Sequence, residues 1–238
     1  MRRTFLLLAS IALVVLLASG VALALTKQCR GHDRCFGTRE DDRLLGSPGD
    51  NNMVGRDGND TLKGFDGRDR LYGSEGNDRL VGGNKGDQLF GGPGRDELQG
   101  GLLTDLYTFA SAGWGNDTII ETDDGLDAAV AFKNVSAGLI IDMNSDPEAP
   151  EARTVAGRST VDWSGNSVGN VKSSGGDDSI TGRTDSLSDI RGGGGDDTIR
   201  VANGTGRDRV DCGPGVDTVF YDLGDTLIQC EVQNLLAG

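Results

Sequence analysis

The chain has 238 residues, of which 39 are glycine, only 5% are aromatic, and the formal net charge is −14. Glycine at this level is about twice the ~7% usual in globular domains, and so little apolar area under so much like charge excludes a conventional core, placing the uncompensated chain near the disordered regime. The acidic balance also excludes nucleic acid, whose phosphates it repels, and calls for a cationic partner.

Met1-Arg2-Arg3 is a short basic region, Phe5 to Leu17 is a nearly unbroken apolar run, and Ala22-Leu23-Ala24 is a small-x-small site. This is the layout of a secretory signal peptide over 1–24 and predicts an extracellular mature chain. Its removal takes away Arg2 and Arg3 and leaves −16 (−14 less two positive charges). The competing reading is an uncleaved membrane anchor, for which Thr4 to Leu25 is just long enough.

Residues 25–36 hold Cys29, His32 and Cys35, and read as a small disulfide-capped segment. With Cys212 and Cys230 the cysteine count is even, which in an exported chain suggests disulfides. Three connectivities are open. The favoured one is Cys29–Cys35 with Cys212–Cys230, because the pairs lie near opposite ends of the mature chain. Zinc is disfavoured, since no CxxC is present and His32 is the single histidine.

From Gly37 the sequence cuts into nines: GTREDDRLL, GSPGDNNMV, GRDGNDTLK, GFDGRDRLY, GSEGNDRLV, GGNKGDQLF, GGPGRDELQ and GGLLTDLYT, covering 37–108 without a gap. Each block begins with glycine. Position six is aspartate except at Asn51, and position eight is Leu44, Met53, Leu62, Leu71, Leu80, Leu89, Leu98 or Tyr107. A fixed acid and a fixed large apolar side chain at one period define a repeat architecture. AGWGNDTII (112–120) adds a unit after three extra residues.

The period then breaks. Residues 121–172 carry apolar stretches at Ala128–Phe132 and Gly138–Met143, a loop at Asp146-Pro147-Glu148-Ala149-Pro150, and a short candidate strand at Val161-Asp162-Trp163. The segment reads as a β-rich insertion that continues the stack with longer turns. The period returns over 173–220 with SSGGDDSIT, GGGGDDTIR, NGTGRDRVD and CGPGVDTVF, while GRTDSLSDIR (182–191) has one residue too many and lacks the expected acid. The tail 221–238 has no repeat and reads as a C-terminal cap.

In one unit, the first six residues form a glycine-permitted turn and the last three a very short strand. Position eight then points inward while seven and nine point out. Two units make one turn of a flattened parallel coil, and units two apart stack. Stacked strands lie about 4.8 Å apart, and two carboxylates roughly 5 Å apart repel by about 3 kcal/mol at an effective dielectric of 20. A ladder of them needs a cation between turns. Calcium suits it, taking six to eight carboxylate and carbonyl oxygens in flexible geometry; magnesium, with its stricter octahedron, ranks second.

These blocks resemble the RTX, or hemolysin-type calcium-binding, repeats with consensus G-G-x-G-x-D-x-U-x. The resemblance covers 37–120 and 173–220, somewhat over half the chain. It implies an all-β fold, a parallel β-roll with several calcium ions between turns. On that analogy Asp42, Asp60, Asp69, Asp78, Asp87, Asp96, Asp105, Asp117, Asp178, Asp197, Asp208 and Asp217 are the acidic ligands. Carbonyls of Gly73, Gly76, Gly91, Gly92 and Gly94 complete the shell. Glu40, Lys85 and Leu103 replace glycine at position four, which predicts weak or empty sites beside them, and Lys85 is a candidate to neutralise a neighbour. Many RTX proteins use a C-terminal export signal and carry a toxin or catalytic domain. Here an N-terminal signal is expected instead, and those functions are not expected to carry over.

Catalysis finds little support. His32 lies between two cysteines, and the acids recur with the repeat instead of forming one special pair. Asp123, Asp124 and Asp127 lie off register and read as loop or additional calcium ligands; Trp114 and Trp163 read as caps on a thin core. GGGGDD at 192–197 lacks the lysine of a phosphate loop. The expectation is a monomeric, calcium-binding secreted roll serving a cell-surface, matrix or adhesive role. The alternative is a secreted hydrolase with its active site in 121–172.

Overall fold

A computed structural model describes residues 25–29, 34–110, 113–120, 128–135, 139–142, 152–154, 160–163, 168–183, 187–201, 204 and 207–236. The signal-like segment 1–24, His32 and Asp123, Asp124 and Asp127 lie outside these residues.

The regular elements among the described residues are all strands. The first repeat block supplies β1 (Thr26–Gln28), β2 (Arg34–Phe36), β3 (Arg43–Leu45), β4 (Asn52–Asp57), β5 (Thr61–Asp66), β6 (Arg70–Glu75), β7 (Arg79–Asn84), β8 (Gln88–Phe90), β9 (Glu97–Leu102), β10 (Leu106–Ala110) and β11 (Asn116–Ile120). The insertion supplies β12 (Ala128–Lys133), β13 (Leu139–Asp142), β14 (Ala152–Thr154), β15 (Thr160–Trp163) and β16 (Val168–Lys172). The second block and tail supply β17 (Ser179–Thr181), β18 (Asp189–Arg191), β19 (Thr198–Arg200), β20 (Arg209–Asp211), β21 (Thr218–Tyr221), β22 (Thr226–Ile228) and β23 (Val232–Leu235).

Successive strands of the repeat blocks fall in opposite sheets, and strands two apart pair in parallel. One sheet runs β1-β3-β5-β7-β9-β11-β15-β14-β13-β17-β19-β21-β23, the other β2-β4-β6-β8-β10-β12-β16-β18-β20-β22. The result is the β-solenoid that the nine-residue period predicts. Position eight stacks on itself: Leu44, Leu62, Leu80, Leu98 and Ile119 align in the first sheet. Met53, Leu71, Leu89 and Tyr107 align in the second. All are fully buried. The core is thus two columns of side chains facing each other, and each fully buried leucine contributes about 1.5–3 kcal/mol.

Position two of the turn adopts positive φ, which favours glycine because a Cβ meets the following carbonyl there. Gly83 (φ 129) and Gly92 (φ 110) meet that demand, whereas Ser74 holds φ 89 with a side chain. Ser74→Gly is expected to stabilise the protein by about 1 kcal/mol, read as a higher urea midpoint at unchanged slope.

The insertion departs from a simple stack. β12 and β16 continue the second sheet in parallel, but β13, β14 and β15 pair antiparallel with one another. The apolar stretch at Ala128–Phe132 lies in β12, the expected strand at Gly138–Met143 is described over Leu139–Asp142 as β13, and the candidate strand Val161–Trp163 lies in β15; the antiparallel β14 departs from a simple continuation of the stack. Where the regular leucine column ends, Phe109, Trp114 and Phe132 form a buried aromatic cluster with centroids 5.5–6.0 Å apart. Trp114 therefore packs the core, as expected.

Both ends are closed. Cys29–Cys35 and Cys212–Cys230 are disulfides with Cα separations of 5.6 Å and 5.2 Å, the favoured pairing. At the inward register, Lys27 aligns with Leu44 and Gln233 with Val219. Lys27 Nζ donates to the Phe36 carbonyl at 3.2 Å, and Gln233 Nε2 to the Cys230 carbonyl at 3.0 Å. Each end of the first sheet's column is thus finished by a polar side chain, as terminal units of a solenoid require, while the second sheet's column ends in Cys35 and Leu227.

Candidate metal centre

Position six lies two residues before the inward position eight, so both face the interior. The twelve position-six aspartates are accordingly buried, from Asp42 at 4% exposure to Asp117, Asp208 and Asp217 at 0%. Buried carboxylates need partners, and each rung receives one from the neighbouring coil. The backbone N–H of Asp42 donates to Asp60 Oδ1, that of Asp60 to Asp78, that of Asp78 to Asp96 and that of Asp96 to Asp117, at 2.7–2.8 Å. On the opposite edge Asn51, Asp69 and Asp87 donate in the same way to Asp69, Asp87 and Asp105 at 2.7 Å. In the second block Asp178 donates to Asp197 at 2.9 Å and Asp197 to Asp217 at 2.8 Å.

The second carboxylate oxygen is treated differently. Oδ2 of Asp60, Asp69, Asp78, Asp87, Asp96, Asp117, Asp197 and Asp217 is buried with no hydrogen-bond partner. In the units of Asp60, Asp69, Asp78, Asp87, Asp96 and Asp197 it lies over the position-one glycine. A Cβ on Gly73 would sit 2.2 Å from Asp78 Oδ2 and 2.6 Å from the Gly91 carbonyl oxygen; on Gly91 it would sit 2.3 Å from Asp96 Oδ2. Glycine suits the position in these units because carboxylate and neighbouring carbonyl oxygens crowd the space, while Cys212 stands there in the unit of Asp217.

Uncompensated burial raises the acid pKa values. Desolvation, the largest cause, and Coulomb repulsion between acids push Asp60 and Asp69 up to about 6, Asp78, Asp87 and Asp197 to about 7, and Asp117 to about 8. Desolvation likewise raises Asp96 and Asp178 to about 6.

Family comparison agrees with this geometry. The RTX calcium-binding nonapeptide repeat matches residues 30–62, 45–80, 72–106 and 189–205. These residues carry RTX repeats, and the solenoid they build has the form of a β-roll. No curated protein matches it.

RTX repeats bind calcium, and the residues of this roll fit that ion. The orphaned groups are hard, anionic oxygens with carbonyls beside them, the donor set calcium takes. Among the described residues no group of three or more His, Cys, Asp or Glu side chains is placed to hold a metal; the oxygens beside the orphaned carboxylates are backbone carbonyls. The carbonyls of Gly91 and Gly94 already accept from Ser74 N–H (2.8 Å) and Asn116 N–H (3.0 Å); each retains a second lone pair. Gly76 and Gly92 hold positive φ, and Gly73 packs beneath Asp78.

Some RTX rungs are satisfied by the protein itself. Asn51 Oδ1 accepts from Ser47 N–H at 2.7 Å. Asp42 Oδ2 accepts from the Thr38 hydroxyl at 3.0 Å, and Asp178 Oδ2 from the Ser173 hydroxyl. In the irregular unit Ser188 takes the rung position: its N–H donates to Asp208 Oδ1 at 2.6 Å and its hydroxyl accepts from Arg183 N–H at 3.0 Å. Lys85 and Leu103 adopt the left-handed turn at φ 77 and 74, and no ion pair from Lys85 to a rung is among the contacts of the described residues.

Through the insertion the rung register carries no acid. The strand pairings align Ala128 with Asp105, Val161 with Asp117 and Leu139 with Asp178. The carboxylate ladders are therefore divided into two blocks by an apolar spacer.

A second, exposed ladder escaped the sequence reading. At position five, Asp41 accepts from Asn59 N–H (2.7 Å), Asn59 from Asn77 N–H (2.8 Å) and Asn77 from Arg95 N–H (2.8 Å). The signal was present as D, N, N at one position of alternate units.

Proposed function

We propose that this RTX roll is a secreted calcium-binding module whose folding is coupled to several calcium ions, with the position-six aspartates and the position-one and turn glycine carbonyls as ligands. The observation that carries the reading is the file of buried carboxylate oxygens that no protein donor satisfies. A cation entering between coils replaces mutual repulsion with attraction, and its binding free energy becomes folding free energy. Extracellular calcium near millimolar suits numerous weak sites.

The chain binds and stiffens; it does not catalyse. Its acids are distributed as equivalent rungs, and its tryptophan at position 114 is inside the core. Export is supported by the signal-like residues 1–24 and by two disulfides, which persist in oxidising compartments. The polar caps favour a monomer. A rigid, calcium-dependent rod of this kind suits a cell-surface, matrix or adhesive role.

The test is far-UV circular dichroism of residues 25–238 during a calcium titration after chelation. A cooperative gain of β signal with calcium, and none with magnesium, is expected. A β spectrum unchanged by chelator and by calcium would sink the coupling.

A further inference from the structure

The tail 221–238 has no nonapeptide, yet it ends both carboxylate ladders. Pairing of β21 with β23 aligns Thr218 with Val232, which sets Glu231 beside Asp217. Pairing of β20 with β22 aligns Arg209 with Thr226, which sets Asp225 beside Asp208. The hydrogen bonds copy the inner rungs. Asp217 N–H donates to Glu231 Oε2 at 3.1 Å and Asp208 N–H to Asp225 Oδ1 at 3.0 Å. Val232 N–H then bonds the Asp217 carbonyl at 2.9 Å, as Thr118 N–H bonds that of Asp96 at 2.8 Å.

The two closing acids are not equivalent. Asp225 is occupied by backbone donors: Arg207 N–H also reaches Oδ1 at 2.8 Å, and Asp222 N–H reaches Oδ2 at 2.8 Å. It closes its ladder without an ion. Glu231 faces Asp217, which is fully buried and whose Oδ2 has no partner. The Cys212–Cys230 disulfide fixes this pair from both sides. Cys212 opens the unit that carries Asp217 at position six, and Cys230 immediately precedes Glu231. Glutamate carries one methylene more than aspartate, and its Oε2 reaches the Asp217 N–H from the residue just before β23.

We infer that Glu231 and Asp217 form a terminal calcium site, with Glu231 held in register by the Cys212–Cys230 disulfide. This rests on the calcium-ladder reading above. The site is asymmetric, one buried acid and one exposed, and is the one at which the ladder of the larger sheet meets solvent.

Calcium calorimetry on the oxidised full chain tests it, with circular dichroism at saturating calcium as the control for folding. Glu231→Gln keeps an acceptor for Asp217 N–H, and is expected to reach the parent spectrum while binding one calcium ion fewer. Asp225→Asn is expected to bind the parent number. Replacing both Cys212 and Cys230 by serine is expected to weaken the same site and to cause no further loss when joined to Glu231→Gln, the non-additivity of a shared interaction. Glu231→Asp, which keeps the charge on a shorter arm, is the second variant: it retains the ion with roughly tenfold weaker affinity, and parent affinity there counts against the site. Asp96→Asn separates the two readings. If Asp96→Asn loses an ion and Glu231→Gln does not, the terminal site is overturned and the inner ladder stands. If neither loses one, the ladder reading itself fails.

Discussion

Calcium-free protein loses stability as the pH rises from about 4 to about 8. The rung aspartates have an ordinary value of 3.8 and are raised in the folded, ion-free roll, to about 6 at Asp60 and Asp69, about 7 at Asp78 and Asp87 and about 8 at Asp117. Between these limits the folded chain binds more protons than the unfolded one, so stability falls with rising pH. The stabilising contribution is fully present below about 3.8 and is lost through 6 to 8, as the folded-state carboxyls ionise. Protons stand in for the missing cation at acid pH. Calcium reverses the sign: it favours the carboxylate form, so its binding near pH 6 releases protons and removes the decline. Urea midpoints at pH 5 and pH 8, in calcium-free buffer and in excess calcium, measure this. A calcium-free midpoint that climbs from pH 5 to pH 8 would contradict the buried-rung account.

Leu80→Ala is expected to cost about 2–5 kcal/mol. Leu80 is fully buried and aligned between Leu62 and Leu98. With one side chain per strand in each of the two facing columns, no further layer exists to fill the space. Collapse is resisted because the flanking coils are pinned by the rung bonds of Asp60 to Asp78 and Asp78 to Asp96. Because folding and ion binding are linked, the loss also appears as a higher calcium concentration for half-maximal β signal. Leu223→Ala is the comparison, since Leu223 is 82% exposed and its removal is expected to stay within about 0.5 kcal/mol. Equal effects from the two substitutions would rule out a position-eight core.

The features legible in the sequence are those repeated at one period. A leucine at position eight and an aspartate at position six recur often enough to fix their facing, and the cysteine pairs lie near opposite ends of the mature chain, which favours Cys29–Cys35 with Cys212–Cys230. What was not legible depends on register across the solenoid. Ser188 does not resemble a rung until Asp208 is found accepting from its N–H. Glu231 and Asp225 belong to no nonapeptide and gain their role only when β23 and β22 lie against β21 and β20. The position-five ladder was overlooked for another reason: Asp41, Asn59 and Asn77 differ in charge, and only their shared ability to accept a backbone N–H unites them. The antiparallel placement of β14 against β13 and β15 belongs to no repeat and shows only in the pairing of the strands.

A stack of parallel strands with identical spacing has no internal reason to stop, and its two exposed edges are the templates on which fibrils elongate. Lys27 and Gln233 supply the reason. Any further copy docking on either end must strip water from an ammonium or an amide and displace the bond each makes to Phe36 or Cys230. The same pleated geometry that would propagate indefinitely is thereby made finite, and the length of the rod is written into the chain by its two terminal side chains, not left to concentration.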